Sequence, residues 1–179
     1  MPQPLSLTYQ VAKPDDIAPI VDLVRSAYRG DASRAGWTTE ADLVADKRID
    51  ATGVLAKINE PQGVILLARD DAGVLVSCCE LVKRDSELAY FGLFAVDPLR
   101  QSGGIGRQVL AEAEAYAKKV FEVKTLEMWV IWTRDEIISW YLRRGYTKSD
   151  RTAPFPYEHL VEGKALRDDL YFSVLTKDL

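Results

Sequence analysis

The sequence predicts one domain of mixed α/β class, α+β in its details, over residues 1–179. Three observations carry this. Helical and strand periods of hydrophobicity succeed one another along the chain. A hairpin leads into a strand–helix–strand unit, which implies one locally parallel crossover inside a mixed sheet. With 179 residues, 47% of them apolar, the chain has one-domain length. It can bury a sizeable core without disulfides or metal.

The elements follow in order. Ile17, Ile20, Val21, Val24 and Tyr28 share a helical face, predicting a helix from about Asp15 to Tyr28. Pro14 and Pro19 are tolerated near its start, and Gly30 follows as a stop. Thr39 with Asp42 three residues on resembles a capping box and predicts a second helix, to about Arg48. Gly63 to Ala68 is a short apolar run, Asp70 to Gly73 a turn, and Val74 to Val82 a second run, so the three read as a hairpin. Glu87 to Val96 is a third strand, ending at Asp97-Pro98. Ile105, Val109, Leu110, Ala113, Ala117 and Val120 lie on one side of a helix from Gly104 to Phe121. Thr125 to Ile131 is a strand. Asp135 to Arg144 is a short helix with Ile137, Ile138, Tyr141 and Leu142 on one face, stopped by Gly145 in the left-handed conformation. Tyr146 to Arg167 reads as loop, and Leu170 to Leu175 closes as a strand.

The net charge of −4 argues against general nucleic-acid binding, which needs a basic face. No apolar run approaches the roughly 20 residues of a membrane span, and no basic-then-apolar leader opens the chain. Cys78 and Cys79 are adjacent, so no disulfide framework is expected and a reducing, cytoplasmic setting is. They point to opposite sheet faces and read as core. With one histidine, His159, in a late loop, no metal site is expected.

The segment from Val96 to Arg107 is the most informative. A strand ends at Pro98, Gly103, Gly104 and Gly106 make a turn, and a helix begins. Glycines allow close backbone approach, and a helix start presents unpaired N–H groups. Together they suit a phosphate or pyrophosphate, with Arg100 and Arg107 bracketing the turn. The third glycine of a dinucleotide fingerprint and the Lys-Ser/Thr of a P-loop are both missing.

Gln101-Ser102-Gly103-Gly104-Ile105-Gly106 fits the [Arg/Gln]-x-x-Gly-x-[Gly/Ala] motif of the GCN5-related N-acetyltransferase (GNAT) superfamily. Tyr141-Leu142-Arg143-Arg144-Gly145-Tyr146 is similar to that family's second motif, Tyr-x-[Lys/Arg]-x-Gly-[Phe/Tyr]. The motif separation and element order match too, over about Leu7 to Leu175. The resemblance implies a mostly antiparallel twisted sheet with helices on both faces and a splayed strand pair holding the cofactor. It implies acetyl-CoA, with the pyrophosphate on the backbone of Gln101, Ser102, Gly103, Gly104, Ile105, Gly106 and Arg107. Main-chain groups of Phe94 and Val96 would pair with the pantetheine arm, and Phe94 or Ala95 would offer an N–H to the oxyanion. Arg134 stands where many relatives carry a cofactor-contacting Asn. The implied activity is acetyl transfer to a primary amine by direct attack in a ternary complex. A catalytically silent acyl-CoA-binding module on the same fold is the alternative.

Tyr141 is the candidate acid for the leaving thiol by resemblance; by periodicity alone it is a core residue. Some relatives carry a glutamate base where this chain has Tyr90. Glu80 is the candidate base, because a carboxylate in an apolar strand stripe is expensive unless paired or functional. A salt bridge with Arg84 is the competing reading, and Glu87 and Glu40 are weaker options. Trp37, Glu40 and Tyr90 are candidate acceptor contacts, and Phe155 and Tyr157 either line the acceptor cleft or pin their loop. The acidic balance favours a cationic acceptor through steering. A small-molecule amine and a peptide both remain open, and a homodimer is compatible with the sequence.

Overall fold

The computed structural model describes residues 4–179. A seven-stranded sheet has the order β1-β3-β4-β5-β6-β9-β7. Its strands are β1 (Thr8–Val11), β3 (Gly63–Arg69), β4 (Leu75–Lys83), β5 (Leu88–Val96), β6 (Thr125–Ile131), β7 (Thr147–Pro154) and β9 (Tyr171–Asp178). All neighbours are antiparallel except β5 and β6, the predicted crossover pair. A two-stranded sheet joins β2 (Val44–Ala45) to β8 (Lys164–Ala165).

Helices cover both faces. On one lie α1 (Ile17–Tyr28) and α3 (Ala51–Ile58), packing Ile20, Val24 and Val54 against Ile65, Leu67 and Cys78. On the other lie α4 (Ile105–Lys119) and α5 (Asp135–Leu142), packing Leu110, Ala113 and Ile138 against Leu81, Phe91 and Leu126. A short α2 (Gly30–Ser33) follows α1. Cys78 and Cys79 are both fully buried, on opposite faces as alternation requires.

The predicted helix from Thr39 to Arg48 does not form. The Thr39 hydroxyl accepts from the N–H of Ala41 at 3.0 Å and closes a turn instead of capping a helix. The chain then enters β2, and the helix begins later, at α3, where the Asp50 carboxylate accepts from the N–H of Gly53 at 2.8 Å. β2 needs Gly163 across from it, since a Cβ there would stand 2.1 Å from the Ala45 carbonyl oxygen. Much of the predicted loop from Tyr146 to Arg167 is strand, in β7 and β8.

Two features of β5 open the middle of the sheet. Leu93 takes φ +48°, and the β4–β5 register slips between Cys78 and Glu80, so a bulge sits there. The bulge reverses the strand's faces: Phe91 packs under α4, whereas Leu93 and Ala95 pack under α1. The parallel β5–β6 pairing also stops at Phe91–Met128. Beyond it β5 stays on β4 and β6 stays on β9, so the two strands part.

Candidate active site

The parted strands form a cleft. At one end the glycine turn enters α4. Gly104 takes φ +80°, with nothing in the protein within 4 Å of where a Cβ would stand. The first-turn N–H groups of Ile105, Gly106 and Arg107 have no intrahelical acceptor by construction. Two expected donors are already used: the N–H of Gln101 bonds to the Asp97 carbonyl at 3.1 Å, and that of Gly103 to Arg100 at 3.4 Å. Arg100 turns away to Asp70 at 2.6 Å, bracing the β3–β4 turn, and leaves Arg107 beside the helix start. Arg144 is a further cation at this end, stacked 3.7 Å over the Trp140 ring. Its buried Nε has no partner among the described residues. An open left-handed glycine, free N–H groups and two guanidiniums fit a pyrophosphate. Phe94, Val96, Gln101, Ser102, Gly104, Gly106 and Arg107 line the cleft, while Ala95 and Ile105 send their side chains into the core.

The carbonyls of the expected β5 edge are engaged by the protein. The Tyr28 hydroxyl donates to the Phe94 carbonyl at 2.6 Å, and the Gln101 amide donates to that of Val96 at 3.1 Å. The other end of Gln101 accepts from the N–H of Trp37 at 3.0 Å. Gln101 therefore ties the glycine turn to the wall that carries Trp37.

Tyr141 faces the cleft from α5, 5% exposed. Its place is set by the helix end. Gly145, at φ +94°, lets the N–H of Tyr146 reach back to the Tyr141 carbonyl and its own N–H to Leu142. Trp140 and Tyr146 pack edge-on against the Tyr141 ring, at 5.1 and 5.8 Å. The phenol oxygen has no hydrogen-bond partner among the described residues, and burial pushes its pKa well above the ordinary value.

At the other end of the cleft, Glu40 is one of a buried set of charges. Arg29 donates to Glu40 at 3.1 Å and to Asp46 at 2.5 Å, and Arg134 approaches Glu40 at 3.5 Å. Arg134 also donates to the Thr38 hydroxyl at 2.7 Å. Burial works against ionisation of Asp46, but hydrogen bonds from Arg29 and the N–H groups of Val161 and Arg48 prevail and hold its carboxyl below the ordinary range. Trp37 and Tyr90 line this end, with Tyr90 edge-on to Trp129 at 5.4 Å. Sequence reasoning missed Tyr28, Arg48, Trp129 and Phe172, which line it too. Phe155 and Tyr157 do not: they pack on each other at 4.8 Å, and the Tyr157 hydroxyl accepts from Leu170, so they pin their loop.

Glu80 does not line the cleft. Its buried carboxylate takes both oxygens to Lys57 Nζ, at 3.0 and 2.9 Å, so the partner is Lys57 and not Arg84. The expense of a buried carboxylate is met by this pair. Glu80→Gln should leave turnover within about threefold of wild type while lowering stability by about 1–3 kcal/mol, since Lys57 loses its counter-charge. Parallel kinetics and urea denaturation check both. Among the described residues Glu40 is the one carboxylate lining the cleft, and two guanidiniums already hold it.

Burial raises Cys78, Tyr28 and Tyr90 to about 12, from ordinary values of 9.0 for the thiol and 10.0 for the phenols. Tyr146 and Cys79 also move up through burial. In the unfolded chain these groups ionise first. The folded state therefore keeps its full advantage below pH 9 and loses it as pH climbs from 9 towards 12. Urea midpoints should hold from pH 7 to 8.5 and fall steeply between pH 9.5 and 11.

An acetyltransferase (GNAT) domain model matches residues 61–148. No curated protein sequence matches the chain. Among solved structures it is similar to the PaiA N-acetyltransferase of Thermoplasma acidophilum in complex with coenzyme A. That match has TM-score 0.70 and 16% identity over 98% of this chain and all of that one. It is also similar to the spermidine N-acetyltransferase of Vibrio cholerae in complex with CoA and spermine. Here the TM-score is 0.69 and the identity 12%, over 96% of this chain and 95% of that one. No described helix is long and apolar enough to cross a membrane. Residues 61–148 thus form an acetyltransferase (GNAT) domain, and over nearly its whole length the chain has the fold of these N-acetyltransferase structures.

Proposed function

We propose that the protein transfers an acetyl group from acetyl-CoA to a primary amine by direct attack in a ternary complex. One observation carries this reading: Tyr141 faces the cleft into which the parted strands and the glycine turn both open. Acetyl-CoA, when bound, supplies the acyl group as a thioester. N–H groups of Ser102 and of Gly104 to Arg107 would hold the pyrophosphate at the start of α4, with Arg107 and Arg144 adding charge. The β5 backbone from Phe94 to Val96 would hold the pantetheine arm, and an N–H at Phe94 or Ala95 would stabilise the developing oxyanion.

Tyr141 serves the leaving group. As the N–C bond forms, the C–S bond breaks and the sulfur gains a proton while the nitrogen loses one. Phenol and thiol ordinarily differ by about 1.5 pKa units, roughly 2 kcal/mol, and burial widens that gap. Tyr141 therefore acts by donating a hydrogen bond to the developing thiolate, not by ionising, and the sulfur takes its proton from water. Among the described residues no cleft carboxylate is free to act as base, so the acceptor's own proton leaves to water. An ordinary alkylamine is neutral in only about one molecule in 2,500 at pH 7, which costs about 4–5 kcal/mol. The rate should therefore rise with pH up to the acceptor's own pKa.

The test is thiol release from acetyl-CoA over an amine panel, alongside thermal stabilisation by CoA. Amine-dependent release supports the reading. Stabilisation by CoA with no release on any amine points to the silent acyl-CoA-binding module.

A further inference from the structure

The charge of the cleft is opposite to that of the chain. Four arginines line it (Arg48, Arg107, Arg134 and Arg144) against the single carboxylate of Glu40. Arg107 and Arg144 belong to the donor end, and Arg134 is engaged by Glu40 and Thr38. Arg48 is different. Among the described residues no acid pairs with its guanidinium, which rests 5.0 Å from the centre of the Tyr28 ring. The acids around it are spoken for: Asp46 by Arg29, Glu40 by Arg29 and Arg134, and Glu80 by Lys57.

The position is built. Arg48 takes φ +62°, a left-handed conformation that a side-chain-bearing residue keeps only where its surroundings impose it. The imposing contact is its N–H, bonded at 3.0 Å to the Asp46 carboxylate, itself fixed by Arg29 and by the N–H of Val161 at 2.9 Å. The same Tyr28 ring sends its hydroxyl to the Phe94 carbonyl, so Arg48 stands one ring away from the parted strand. Its neighbours in the cleft wall include Tyr90, Trp129 and Phe172.

We infer that Arg48 anchors the carboxylate of the acceptor, and that the acceptor is an amino acid with an apolar or aromatic side chain. The inference deepens the acyl-transfer reading and rests on it. A guanidinium offers a carboxylate two parallel hydrogen bonds, and the aromatic wall takes the side chain. A polyamine would instead need several free carboxylates, and this wall supplies none. The local field in the cleft therefore outweighs steering by the whole chain's negative charge.

The test uses matched acceptors: L-phenylalanine against 2-phenylethylamine, L-methionine against 3-(methylsulfanyl)propylamine, and spermidine. Thiol release should favour each amino acid over its decarboxylated twin by at least about tenfold in kcat/KM. Arg48→Met should erase that gap by raising KM for the acid while leaving the amine within about threefold. Arg48→Lys should recover part of it, with thermal midpoints confirming that both variants fold. Preference for the amines or spermidine, or indifference to Arg48→Met, overturns the carboxylate anchor and leaves acyl transfer standing. Calorimetry of L-phenylalanine with the CoA-loaded protein separates the two claims. Arg48-dependent binding without turnover keeps the anchor and overturns acetyl transfer. Neither binding nor turnover with any of these acceptors overturns the anchor.

Discussion

Tyr141→Phe should lower kcat by about 10²–10³-fold while CoA binding stays within about twofold of wild type. The range follows from what one preorganised hydrogen-bond donor to developing charge contributes to a transition state. The variant removes one oxygen and keeps the ring, so the edge-on contacts with Trp140 and Tyr146 survive. The helix stop at Gly145 depends on backbone alone and is untouched. Because burial holds the phenol protonated, wild-type kcat should show no alkaline fall below pH 10 from this group. If the variant shifts the thermal midpoint and leaves kcat intact, Tyr141 is a core residue and the acid role fails.

The largest loss of stability is expected from Asp46→Ala, about 3–5 kcal/mol. Arg29 is buried and would lose its 2.5 Å partner, keeping Glu40 as its one acidic partner beside the Tyr28 carbonyl. The N–H groups of Arg48 and Val161 would lose their acceptor together. Asp46 thus joins the segment after β2 to the loop before β8, as well as holding the cation beneath it. Asp46→Asn, which keeps an acceptor oxygen but not the charge, should fall between wild type and Asp46→Ala. Urea midpoints at unchanged slope would measure both. An alanine variant within 1 kcal/mol of wild type would show that Glu40 alone suffices for Arg29.

Elements whose apolar residues repeat locally were legible in the chain. Thr125 to Ile131 and the stop at Gly145 agree with the structure, because a two-residue period and a left-handed glycine are local signals. β7 was not legible. It pairs on one side only, so its residues, from Thr147 to Arg151 especially, are polar and carry no strand pattern. β2 forms through a partner some 120 residues away, and the Thr39–Asp42 spacing suggested a cap that the Ala41 contact replaces. In the site, the glycine turn and Tyr141 were readable from motifs. The charged set was not, since Arg29, Glu40, Asp46 and Arg134 meet only through tertiary packing. Tyr28 read as one more residue of an amphipathic face, and nothing local says that its hydroxyl reaches Phe94.

The parting of β5 from β6 bears on solubility. Unpaired backbone at the outside of a sheet is a template on which another chain can add a strand, and proteins guard such rims with charge, proline or short length. Here the opening lies in the interior of a seven-stranded sheet, with three strands beyond β5 on one side and two beyond β6 on the other. Those flanking strands leave the gap accessible to a slender molecule and closed to a neighbouring polypeptide. Tyr28 and Gln101 blunt it further by occupying two of its carbonyls. The fold can thus keep backbone groups in reserve for a ligand without the self-association that an equally bare outer rim would invite.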